Sequence, residues 1–161
     1  HDLSLPVLRT LDRSERSPYF VDRTSAAHWH SRLEKFAWYF KTEMQTDAPG
    51  FRASEVHDQI DQPAPFEAHM FFELAHDLLE EDRPSPVRVV GAACFRHKVW
   101  DFNAAEWGLA WVWLHPFSRR RGHLSGAWHA LVDRYGDFPS SQALSRDMDA
   151  FLIKRNVRVV A

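Results

Sequence analysis

The stretch from Trp107 to Trp128, W-G-L-A-W-V-W-L-H-P-F-S-R-R-R-G-H-L-S-G-A-W, constrains this chain more than any other. Glu106 to Leu114 reads as a strand. Trp107, Leu109, Trp111 and Trp113 fall on one face, and Glu106, Gly108, Ala110, Val112 and Leu114 on the other. Gly108, Ala110 and Val112 are small enough to leave room for a slender ligand along that second face. Pro116 stops the strand, three arginines and Gly122 form a loop, and Trp128, Leu131, Val132 and Tyr135 then recur at helical spacing. Gly136 stands where a helix end favours glycine. A strand that delivers a basic loop to a helix N-terminus is a device for holding an anion: backbone N–H groups converge and the helix dipole adds roughly half a positive charge. Gly122 lets a ligand approach the backbone. These features favour a pyrophosphate or a nucleotide 3′-phosphate; the alternative is a solvated basic turn that only starts a helix.

The remaining chain supplies the elements around this unit. Leu3 to Leu11 alternates weakly like a strand, and Arg13 to Pro18 is polar and loop-like. From Thr24 to Met44, Trp29, Leu33, Phe36, Ala37 and Phe40 mark one helical face, with Ser25 as N-cap. This aromatic stripe is read as core. Phe51 to Pro65 is polar and irregular. Phe66 to Leu79 is ambiguous, because Met70, Phe71, Leu74 and Leu78 fit a helix while His69 to Leu74 also fits a strand. Val87 to Phe95, V-R-V-V-G-A-A-C-F, is a buried strand, and His97 to Ala105 a hairpin connection. Asp137-Phe138-Pro139 offers a short strand, and Ser140 to Ile153 a last helix with Ala143, Leu144, Met148, Phe151 and Leu152 inward. The expected fold is α+β, a three-layer α/β/α arrangement over residues 1–161 as one domain.

With 161 residues, 45% of them hydrophobic and including seven Trp and twelve Phe, the chain can bury an aromatic core without staples. A net charge of −2 argues against a general nucleic-acid or membrane coat, and no apolar run approaches the roughly 18 to 20 residues needed to span a bilayer. The first residues, H-D-L-S-L-P, lack the pattern of a signal peptide, and Cys94 has no second cysteine to pair with. A cytoplasmic location is expected. Ten histidines raise a metal reading through Cys94 with His97, His28 with His30, and His69 with His76. No two of these pairs combine into a four-ligand site, so none is expected. Nothing in the sequence lowers the pKa of Cys94 as a nucleophile.

The central unit resembles the GNAT superfamily of acyl-CoA-dependent N-acetyltransferases. Leu114-His115-Pro116 matches the family's strand end, Arg119-x-x-Gly122 its phosphate loop, and V-V-G-A-A its preceding strand. The resemblance covers Val87 to Asn156. Leu124 stands where the family pattern has a second Gly or Ala.

The resemblance implies a mixed, twisted sheet with helices on both faces, and acetyl-CoA as acyl donor. It implies pantetheine contacts from the Val112 and Leu114 backbones, and diphosphate contacts from Arg119, Arg120, Arg121, Gly122, His123 and Leu124. The implied reaction is direct attack by an amine, of a small molecule or a protein, in a ternary complex. The acceptor is expected between the Thr24 to Met44 helix and the loop around Phe51 to Pro65. Glu106 is the candidate base by position, with His115 second. The family often places a Tyr acid on the last helix; here Phe151 stands there, with Ser141 and Ser145 the nearby hydroxyls. The alternative is a GNAT-shaped CoA-binding or regulatory module without catalysis. No nucleic-acid or membrane partner is expected, and assembly as a homodimer is left open.

Overall fold

The computed structural model describes residues 3–9, 16–57, 63–142 and 145–160. Among them, seven strands build one mixed sheet: β1 (Val7–Leu8), β2 (Tyr19–Asp22), β3 (Phe66–Leu74), β4 (Val87–Lys98), β5 (Glu106–Leu114), β6 (Ser140–Ser141) and β7 (Val159–Val160). Three α-helices accompany it: α1 (Ala27–Met44), α2 (His123–Tyr135) and α3 (Arg146–Lys154). The sheet order is β2-β3-β4-β5-β6-β7, antiparallel from β2 to β5 and parallel from β5 to β7; β1 pairs with the start of β4.

Two apolar clusters define the faces. Trp29, Leu33 and Phe36 of α1 pack on Trp111 and Trp113 at one face, while Leu124, Ala127 and Leu131 of α2 pack on Leu109 and Phe95 at the other. Met148 and Phe151 bring α3 to the second cluster. The fold is therefore α+β, with helices on both faces of the sheet. Fully buried rings such as Phe36 and Phe71 each contribute about 1.5–3 kcal/mol. Among the described residues, no helix is long and apolar enough to cross a membrane.

The expected face of four aromatic and aliphatic residues on β5 does not exist as such. Cys94 pairs with Trp111 and Phe95 with Leu109, so Ala110 is an extra residue, a β-bulge. The bulge reverses the alternation. Trp107 and Leu109 face α2, whereas Trp111 and Trp113 face α1. The small residues are divided as well. A Cβ on Gly108 would lie 2.3 Å from the Trp100 ring, so that indole already fills the space read as a ligand groove.

Other expectations also shift. Ser25 does not cap α1; the N-cap is Ala26, and Ser25 Oγ instead accepts the Asp22 N–H at 2.9 Å. Phe66–Leu74 is a strand, because its registry with β4 buries Ala68 and Met70 on one side and Phe71 on the other. The last helix starts at Arg146 under a Ser145 cap, and Ser140–Ser141 is a strand one step later than Asp137 to Pro139. Ala143 and Leu144, expected inward on that helix, lie outside the described residues, as do 10–15 in the first loop and 58–62 in the stretch before Pro65. Strands β2 and β7, too short to show a period, were not expected.

Candidate functional site

The site begins at the bulge. Strand β6 pairs with β5 at Leu109 alone, and the Ser141 hydroxyl donates to the Ala110 carbonyl at 2.6 Å. Beyond that point this edge of β5 has no strand beside it among the described residues. The His115 N–H bonds the Val90 carbonyl on β4, so strand alternation turns the polar backbone of Val112 and the N–H of Leu114 toward the open edge. An unpaired edge of this kind offers ladder-type hydrogen bonds to a ligand.

A cleft of about 430 Å³ lies along that edge. Its apolar wall includes Val112, Leu114, Leu124, Met148 and Phe151, and its polar end is the loop before α2. Arg120 and Gly122 both take left-handed backbone conformations, φ 60° and 84°. Gly122 is the N-cap of α2, so no side chain covers the helix's first N–H groups, and a Cβ at Gly122 would meet nothing within 4 Å. The N-terminus of α3, with Ser145 and Arg146, borders the same cleft.

All the residues for which the resemblance implies cofactor contacts line this cleft except Arg121. Their side chains are not equivalent, however. Arg119 is tied by Nε to the Leu114 carbonyl (2.9 Å) and by Nη2 to Glu43 (2.5 Å). Arg119 and the Trp113 indole N–H together hold the Glu43 carboxyl below its ordinary pKa, against a smaller opposing effect of burial. Arg121 and His123 both reach Glu73, at 3.0 and 2.5 Å. Arg120 and Arg146 have no ion pair among the described residues and remain the cations open to a ligand. Leu124 is only 7% exposed and packs with Ala127 and Leu131, so most of its bulk goes into the core.

The three candidate catalytic residues separate. Glu106 pairs with Arg158 at 2.5 Å and lies six residues, about 20 Å, up the strand from Val112. His115 accepts the Phe117 N–H at 3.3 Å through Nδ1, which caps the turn Pro116–Ser118; burial and the nearby Arg119 lower its pKa. Neither lines the cleft. Ser141 stands at the bulge, beside a second cavity of about 320 Å³ on the α1 side of the sheet. Sequence reasoning missed Met44, Ser125, Arg146 and Asp147 at the cleft. The Ser145 cap with Asp147 in the first turn was a legible helix start that could have located the last two.

The rival constellations disperse. Cys94 is buried in β4, where burial pushes its thiol up to about 12. His97 packs its ring on Trp107 at 5.3 Å, and His30 donates through Nε2 to the Asp22 carbonyl at 2.8 Å. His69 is in β3 and His76 in a separate 3-10 turn. Among the described residues, no group of three or more His, Cys, Asp or Glu is placed to hold a metal ion. No protein-family model matches the chain, and no curated protein matches it.

Proposed function

We propose that the cleft binds acetyl-CoA and that the protein is a GNAT-type N-acetyltransferase. The observation that carries this reading is the open edge of β5, which begins at the Ala110 bulge and runs to the uncapped N-terminus of α2. A pantetheine arm carries amides that suit the Val112 and Leu114 backbone, and its diphosphate suits the space beside Gly122. Arg120 supplies charge to the phosphates; Arg119 and Glu43 brace the loop. When bound, acetyl-CoA supplies a thioester carbonyl: the amine's C–N bond forms, the C–S bond breaks, and one amine proton ends on sulfur. On this reading Ser141, whose hydroxyl now donates to the Ala110 carbonyl at the bulge beside the second cavity, relays that proton. Solvent in the open slot takes the first proton from the ammonium.

A second reading, a CoA-binding module without catalysis, is favoured by one observation: Glu106 is engaged with Arg158, away from the cleft. Isothermal titration and an amine panel separate the two. Acetyl-CoA binding with CoA release supports the enzyme, and binding without release across the panel supports the module. Gly122→Glu should abolish binding through charge and bulk. Arg120→Gln, which breaks no ion pair among the described residues, should weaken it about tenfold. Full affinity in both variants would remove the assignment.

A further inference from the structure

The 320 Å³ cavity on the α1 side is lined by Phe40, Thr46, Lys98, Trp100, Ala110 and Ser141, among others. It adjoins the cleft across the open strand edge. Ala110 borders one space and Val112 the other, as do Thr46 and Met44 just past and at the end of α1. Among the described residues, no aspartate or glutamate lines this cavity. The one charged group among its described lining residues is Lys98, whose Nζ sits 4.5 Å from the centre of the Trp100 ring and has no ion pair among the described residues. Trp100 is fixed in turn: its Nε1 donates to the Glu106 carbonyl at 3.1 Å, and its ring lies against Gly108.

A simple ammonium would find no counter-charge here, only a like charge. We infer that the cavity holds the acceptor and takes an aliphatic amine that also carries a carboxylate, with Lys98 binding the carboxylate. The inference rests on the acetyltransferase reading for what the cavity serves. The register sets the spacing. Lys98 stands opposite Glu106, four residues or about 13 Å from Ala110 along β5, and its ammonium lies over the Trp100 ring, which itself rests against Gly108 two residues from Ala110. The amine at the bulge and the carboxylate at Lys98 are thus several bonds apart, as in an ω-amino acid. Phe40, Val99 and Val160 pack on the methylene spacer.

The test is titration calorimetry of the whole chain with 6-aminohexanoate and with hexylamine, in the absence of acetyl-CoA. The amino acid should bind about fivefold more tightly than the amine, and Lys98→Met should erase that preference. Lys98 is exposed, so the variant keeps its fold, which circular dichroism verifies. Equal affinity for the two probes, or a preference that survives in Lys98→Met, overturns the inference. A separate titration with acetyl-CoA reports on the donor cleft, so loss of that reading is distinguishable from loss of this one.

Discussion

Residue-scale chemistry is clearest around Tyr135, which the sequence offers only as a packing ring. Its hydroxyl donates to Glu67 at 2.6 Å, so its oxygen accepts from His69 Nε2–H at 2.8 Å. The network fixes His69 as the neutral Nε2–H tautomer. Burial, reinforced by Arg134 and opposed by Glu67, lowers the His69 pKa to about 4. The unfolded chain, with its ordinary value near 6.5, therefore binds more protons between pH 6.5 and 4. Stability from this group is complete above pH 6.5 and is lost as pH falls toward 4, a change on the order of 3 kcal/mol. His69→Gln keeps a donor for Tyr135 and cannot titrate. Urea unfolding at pH 7.5 and pH 4 should show a smaller loss in this variant than in the parent chain. An equal loss would assign the pH dependence to other groups.

At the scale of elements, the pairing of β4 with β5 carries the site. Gly91 lies opposite Leu114, and a Cβ there would stand 2.1 Å from the Trp113 carbonyl oxygen and 2.8 Å from the Leu114 Cα. Both obstacles are backbone, so relief requires the strands to part. Gly91→Ala should cost about 2–3 kcal/mol in chemical denaturation and should disturb the end of β5 that borders the cleft. A neutral Gly91→Ala would mean that the two strands are less closely paired than described. The glycine in V-V-G-A-A is thus explained by strand contact, where the sequence alone supports only a family pattern. The Ser145 cap was similarly visible, since its hydroxyl accepts the Met148 N–H at 3.2 Å. Its masking within a longer expected helix came from Ser140 and Ser141, which local preference does not exclude from a helix but which β5 and β7 recruit into the sheet.

For the whole molecule, the cleft joins α2, α3, the end of α1 and the open edge of β5. A ligand that binds only this assembled state must stabilise it. Acetyl-CoA at about a hundredfold over its dissociation constant should add about 2.7 kcal/mol, seen as a rise in Tm by calorimetry. No shift at millimolar acetyl-CoA would count against the cleft as a donor site. The amino-acid sequence by itself determined the strand Glu106 to Leu114, the helix around Trp29 to Phe40, the turn through Arg119 to Gly122 and the α2 stop at Gly136. Each of these follows from spacing or backbone preference within a few residues. Only the tertiary structure decided that Ala110 bulges, that Trp100 fills the side of Gly108, and that Arg119 and Arg121 belong to Glu43 and Glu73. Those carboxylates lie 76 and 48 residues away along the chain. A bulge and an ion pair are properties of two segments brought together, and no periodicity within either segment contains them.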